Sequence, residues 1–339
     1  MNSERVRLGT LHICISENRP ADEVGVKLLV LSLARHEPTA ILHLFVNDLS
    51  DGLKAWLSAR PNVIQDSLPI DPDLTWNIKP RLLTKLLDDD LDSVVWIDSD
   101  IIVTAPIGRF FDGLDDDTLV LTEEYFGYRN QGAAVRTQGW KLPAGRDLPF
   151  TPNSAVLRVT QRHRPLLSAW QALLERPDYL AAQAAPWAQR PFYMMGDQDA
   201  LSALLGSRDF AHVPVQPLRR GRDIAQCFKE DGYSPTERLA NLRSLPPFIH
   251  AQGGKPWRPV ARSMAYQSVS PFWYAAQPYR DELTSDERRW LDERPASARV
   301  LHAMTLGHPS LAGLPPAVGR VVAKRWAAAA RRARKLMQR

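Results

Sequence analysis

Cysteine is nearly absent from this 339-residue chain. Its two copies, Cys14 and Cys227, lie far apart and without the close spacing of a metal knuckle, which excludes a disulfide scaffold and a cysteine-built zinc site. A reducing, cytoplasmic setting is the expectation. Long apolar runs are missing as well: nowhere do the roughly eighteen apolar residues of a membrane span occur together. The opening MNSERVRLGT also lacks the apolar core of a signal peptide. Acidic residues are absent from positions 320–339, which hold eight Lys or Arg. The rest carries 35 basic against 38 acidic residues, so the net charge of +5 belongs to a tail and no nucleic-acid partner is expected.

What is present has the composition of a soluble globular chain, 44% apolar and 24% charged, and no internal repeat. The first hundred residues alternate. Leu8–Ile15 reads as a strand, Val24–Ala34 as an apolar-periodic helix and Ile41–Val46 as a second strand. Helices are predicted over Leu53–Ala59 and Arg81–Leu87, and a strand over Val94–Ile97. This βαβαβ rhythm predicts an α/β fold whose ligands bind beyond the carboxyl ends of the strands, where Ser16–Asn18 and Asp98–Asp100 would both emerge. Glu123–Phe150 reads as irregular and suits a substrate loop. A short strand at Ala155–Val159 and helices at Leu166–Leu174 and from Asp199 to Leu205 follow. Domain bounds are set at 1–275 for the catalytic domain, 276–316 for a charged segment and Gly/Pro linker, and 317–339 for the basic tail.

One feature of the composition stands out, the run VVWIDSDIIV from Val94 to Val103. Asp-x-Asp triplets occur elsewhere, at Asp88–Asp90 and Asp115–Asp117 for example, but in polar surroundings. Asp98 and Asp100 have apolar and β-branched residues on both sides, and two ionised carboxylates near a core need a cation. Read alone, the triplet fits either a turn after a core strand or a divalent-metal site.

Four ordered segments bear on that choice: VVWIDSD, NSAVL at Asn153–Leu157, GDQDAL at Gly196–Leu201 and HAQGGKPW at His250–Trp257. Together with the opening ICISEN they resemble glycosyltransferase family 8, whose members are metal-dependent retaining enzymes, and the resemblance covers about residues 8–275. It implies a glycosyltransferase-A (GT-A) type nucleotide-diphospho-sugar transferase fold, a single Rossmann-like mixed-sheet domain, with a basic helical extension. Asp98, Asp100 and His250 then hold Mn²⁺ or Mg²⁺. Asp98 with Ser99, Ser16, Glu17, Asn18, Arg81, Asn153, Gly253 and Gly254 contact the donor, and Asp197, Gln198 and Lys255 act at the reacting sugar bond. Two departures from the family pattern are visible. Arg19 stands where many members carry an aromatic residue, and the His250-to-Lys255 spacing is one residue shorter than in many members.

The function so implied is transfer of a hexose from a nucleotide diphosphate sugar, a UDP-sugar first of all, to a glycan or glycolipid acceptor. Two rivals use the same residues: a haloacid-dehalogenase-like phosphatase with Asp98 and Asp100 as nucleophile and acid, and a non-catalytic sugar-nucleotide or glycan-binding protein. In the tail, Val318, Val322, Trp326, Ala329, Ala333 and Leu336 fall on one helical face, with Arg320, Lys324, Arg331 and Lys335 on another. Such a helix suits peripheral docking to an anionic inner leaflet, or packing on its own domain.

Overall fold

The computed structural model describes residues 10–46, 48–66, 76–124, 133–227, 232–258 and 270–337. Among the described residues the strands run in chain order as β1 (His12–Ser16), β2 (Ile41–Phe45), β3 (Val63–Asp66), β4 (Ser93–Ile97), β5 (Ile101–Val103), β6 (Leu119–Glu123), β7 (Pro152–Thr160), β8 (Val215–Leu218), β9 (Ile224–Gln226) and β10 (Phe248–His250). The chain divides into two compact units, residues 1–99 with 106–218, and residues 100–105 with 219–339. The expected boundary near residue 275 falls inside the helix Pro271–Ala276 of the second unit.

The first unit is built on a seven-stranded mixed sheet of order β3-β2-β1-β4-β7-β6-β8. Strands β3, β2, β1 and β4 are mutually parallel, and β7 runs antiparallel to both β4 and β6. The carboxyl ends of β1, β4 and β6 and the start of β7 therefore share one edge. The predicted helices are found as α1 (Glu23–His36), α2 (Asp51–Ser58) and α3 (Lys79–Asp88). Ser50 caps α2 by accepting the Leu53 amide at 3.2 Å. Two differences from the sequence reading are clear. The region read as irregular contains α4 (Ala134–Gly139), while residues 125–132 of the expected substrate loop, like the start of the strand expected from Leu8, lie outside the described residues. The strand expected at Ala155–Val159 is nine residues long and buried throughout, because it pairs on both sides.

Packing follows from periodicity. Leu82, Leu83, Leu86 and Leu87 of α3 join Val94, Trp96, Leu157 and Val159 of the sheet in one core. Leu166, Leu167 and Trp170 of α5 (Arg164–Leu174) and Leu201, Leu204 and Leu205 complete it. After α6 (Pro177–Ala184) comes α7 (Asp197–Leu205), so Asp197 and Gln198 sit in the helix's first turn and not before it.

The second unit has a three-stranded sheet of order β5-β10-β9 and α8 (Pro235–Ala240). The segment read as a Gly/Pro linker is not one: it holds the short helix Pro309–Ala312 and the start of a 24-residue helix, Leu314–Met337. Ala317 of that helix is buried, whereas Val318, Val322, Trp326 and Leu336 are exposed. Packing on its own unit therefore buries Ala317 in the first turn and half-buries Val321 one turn on, while much of the rest of the helix's apolar face stays exposed.

Candidate functional site

In the first unit, parallel pairing of β1 with β4 brings the exits of both strands to one edge. Beyond β1, the Glu17 carboxylate is buried and fully engaged. It accepts the Arg19 guanidinium at 2.7 Å through each oxygen, the Ser99 hydroxyl at 2.7 Å, and the backbone amides of Asn18 and Arg19. Burial pushes this carboxyl up, but Arg19 and Ser99 outweigh it and hold it below the ordinary glutamate range. Ser16 and Asn18 are half-buried at the same exit. Arg19, tied as well to Asp22 at 3.1 Å, is a fixed guanidinium where an aromatic ring was the family pattern.

Beyond β4, Asp98 Oδ1 accepts the Trp96 indole N–H at 2.7 Å and pairs with Lys79 Nζ at 2.9 Å. Lys79 is 4% exposed. It also donates to Ser154 Oγ at 2.9 Å and lies 3.4 Å from Asp197 Oδ2. Burial pulls its ammonium down, but Asp197 and Asp98 outweigh that, so it stays charged. One ammonium shared between two carboxylates leaves net negative charge, and burial pushes Asp197 up despite Lys79 and the Ser154 hydroxyl, which donates to it at 2.7 Å.

Next to this cluster, Asn153 at the start of β7 donates to Gln198 Oε1 at 2.7 Å and to Glu124 Oε2 at 3.1 Å, and Thr122 donates to Asn153 Oδ1 at 2.8 Å. Gln198 in turn donates to Glu124. Asp199 has partners of its own. It pairs with buried Arg136 at 2.7 Å and accepts the Gly196 amide at 3.1 Å, capping α7.

In the second unit, the antiparallel register pairs Ile101 of β5 with His250 of β10 and so sets Asp100 beside His250. Asp100 Oδ1 lies 3.4 Å from His250 Nε2, and the ring's Nδ1 is 2.7 Å from Gln226 Oε1. The Lys255 ammonium contacts Asp100 Oδ2. Burial raises the Asp100 carboxyl, yet Lys255 and His250 outweigh it and hold it far below the usual carboxylate range. Gly253 and Gly254 are exposed between His250 and Lys255, and Gly253 has φ 83°, a left-handed conformation that favours glycine.

Of the expected site residues in the first unit, the structure brings Glu17 to Ser99, Asp98 to Asp197 through Lys79, and Asn153 to Gln198. In the second it brings Asp100 to His250 and Lys255. Arg81 is not brought in: it is exposed on α3. Lys79, two residues earlier, is the cation at Asp98. A lysine in the first turn of a helix opposes the macrodipole and needs compensating anions, but nothing in the sequence picks them out until Asp98 and Asp197 are known to face it. Glu124, one residue past β6, was also missed, although it follows the apolar strand run LVLTE, as Asp98 follows its own.

No family model and no curated protein sequence matches the chain. Among solved structures it is similar to the apo bifunctional glycosyltransferase WbbM, at 15% identity and TM-score 0.50, over 88% of this chain and 52% of that one. It is likewise similar to the galactosyltransferase LgtC in complex with donor and acceptor sugar analogs, at 15% identity and TM-score 0.50, over 80% of this chain and 100% of that one. The chain thus spans about half the length of the WbbM structure. The fold is the GT-A type α/β fold.

Proposed function

We propose that this protein is a metal-dependent retaining glycosyltransferase of the family 8 kind, moving a hexose from a nucleotide diphosphate sugar, a UDP-sugar first of all, to a glycan or glycolipid acceptor. In this reading Asp98, Asp100 and His250 hold the metal ion, and the geometry that supports it lies in the second unit, where Asp100 and His250 stand side by side. The set fits Mn²⁺ or Mg²⁺: hard carboxylate oxygens and one imidazole whose Nδ1 is occupied by Gln226, leaving Nε2 toward Asp100. When bound, the cation would neutralise charge developing on the departing diphosphate. The single observation that carries the reading is the Asp100–His250–Gln226 arrangement on a GT-A type fold.

In this reading the anomeric C–O bond to the diphosphate breaks and a bond to the acceptor oxygen forms. The acceptor proton leaves on a diphosphate oxygen. Lys255 supplies positive charge to that leaving group. Lys79 and Asp197 hold sugar hydroxyls, with Asn153, Gln198 and Glu124 beside them. Both amide heteroatoms of Gln198 are already hydrogen-bonded, and Asp197 is held by Lys79 and Ser154. That engagement supports attack from the leaving-group face over a covalent intermediate. The phosphatase rival needs an Asp two residues past its nucleophile to gain and lose a proton, whereas Asp100 is held ionised.

The exposed apolar residues and basic charge of Leu314–Met337 support peripheral binding to an anionic inner leaflet, beside a lipid-linked acceptor. No described helix is long and apolar enough to cross a membrane.

The test is thermal shift with UDP-sugars and Mn²⁺ on the wild type and on Asp100→Asn. Ligand binding to the native state alone stabilises it by about 2.7 kcal/mol at a hundred times Kd, which raises the melting temperature. A rise that needs Mn²⁺ and disappears in Asp100→Asn supports the reading. A metal-independent rise, or none with any nucleotide sugar, sinks it.

A further inference from the structure

A second cluster of metal-competent groups lies within the first unit on three adjacent strands, apart from the residues assigned above. His12 Nδ1 is 3.0 Å from His43 Nε2, and His43 Nδ1 is 3.3 Å from Asp66 Oδ2. The ring centroids of the two histidines are 5.3 Å apart. The register explains the diagonal. Cys14 pairs with His43 and Phe45 with Asp66, so His12, His43 and Asp66 share one face of the parallel sheet. From α3, Lys85 and Asp89 act on His43 electrostatically, and they are paired with each other at 2.6 Å.

Two imidazole nitrogens in direct contact need something between them: one proton, or one cation. Burial, reinforced by mutual repulsion at His12, holds both rings below the ordinary histidine range, so each carries a lone pair at neutral pH. An Nδ1–H of His43 directed to Asp66 fixes the tautomer that turns the Nε2 lone pair toward His12. A carboxylate behind a histidine is how proteins orient an imidazole ligand.

We propose that His12 Nδ1 and His43 Nε2 bind a divalent transition-metal ion of the Zn²⁺ class, with Asp66 as the positioning residue behind His43. Imidazole nitrogen selects Zn²⁺, Ni²⁺ or Cu²⁺ over Mg²⁺. Both His12 and Asp66 are partly exposed, which gives the ion access and leaves its other positions to water. Bound there, the ion ties β1 to β2 on the strand that leads into Ser16–Asn18. The inference stands apart from the glycosyltransferase reading, since it uses none of the same residues.

The experiment is calorimetric titration of Zn²⁺ into the full chain as wild type, Asp100→Asn, His12→Gln and Asp66→Asn. One binding event should survive Asp100→Asn. It should weaken in Asp66→Asn by about 10- to 100-fold and by at least as much in His12→Gln. His12 opens its strand and is partly exposed, so its variant should keep the metal-free melting temperature and unchanged donor cleavage. A readout that needs no variant is the imidazole ¹⁵N spectrum of the wild type, where Zn²⁺ should shift His12 and His43 together. An event untouched by His12→Gln, or histidine resonances that ignore Zn²⁺, overturns the proposal.

Discussion

Two regions break the ordinary rule of apolar inside and polar outside, in opposite directions. At the strand ends, Glu17, Lys79 and Asp197 in the first unit and Asp100 and His250 in the second are buried, each with an ionic or hydrogen-bonding partner inside its own unit. On the Leu314–Met337 helix, Trp326 is 74% and Leu336 73% exposed, with basic residues around them. A buried charge costs free energy unless paired, and an exposed apolar face gains nothing from water, so neither arises from folding alone. The first region is internally satisfied apart from what it would bind. The second is left without cover among the described residues.

The sharpest break of that comparison is at Lys79. Lys79→Met leaves Asp98 and Asp197 buried without their shared cation and should cost about 3–5 kcal/mol of stability, the usual price of removing one partner from a buried pair. It should also abolish donor cleavage. Arg81→Ala, two residues away on the exposed face, should change stability by no more than about 0.5 kcal/mol and leave cleavage intact. Denaturant unfolding with a turnover assay separates the two. Equal effects would mean that Arg81, as the sequence reading had it, is the donor-facing residue.

Lys255→Ala comes next. Loss of its charge at the leaving group should slow donor cleavage by about 2–4 kcal/mol in barrier. Because Lys255 contacts Asp100, the same change should tighten Mn²⁺ binding measured without nucleotide. A lysine displaced from the site by its shortened spacing to His250 would alter neither quantity.

Much of this was legible in the chain and some was not, for physical reasons. Periodicity located α1, α2, α3 and the strands before Ser16 and Asp98, since each buries a face its own pattern announces. The Asp98–Asp100 turn stood out for its apolar flanks. Lys79 did not, because a single lysine in a helix carries no sign of burial until Asp197, over a hundred residues later, is known to face it. The partnership of Asp100 with His250 depends on the β5–β10 register, a long-range pairing that local pattern does not encode. Gly307–Pro316 misled for the converse reason: Pro at the first turn of Pro309–Ala312 starts a helix as readily as it punctuates a loop.

Acid should separate the paired charges from the rest. Asp100 and Glu17 both have folded-state values below their unfolded ones, so their contributions are fully present above the unfolded carboxylate range. Those contributions drain away as pH falls from about 5 toward the folded values. Asp100→Asn should therefore flatten the loss of stability between about pH 5 and 2, when chemical denaturation is followed across that window. A variant that loses stability with acid as steeply as the wild type would show that Asp100 is not held ionised.

The smallest effect on the fold, and the cleanest on location, belongs to the terminal helix. Removing residues 323–339 spares buried Ala317 and the contacts of the helix's first turn, so melting temperature and donor cleavage in solution should hold. It takes away Lys324, Arg325, Arg331, Arg332, Arg334, Lys335 and Arg339, along with exposed Trp326 and Leu336. Each basic residue near an anionic surface contributes about 1 kcal/mol, screened within a Debye length. Full-length protein should thus sediment with phosphatidylserine vesicles at low salt and lose most of that binding as salt rises, while the truncated chain stays in the supernatant. The apolar part of the binding should resist salt, so Trp326→Ala should lower what remains at high salt. Full-length protein that ignores such vesicles would make the exposed face of Leu314–Met337 a surface for something other than lipid.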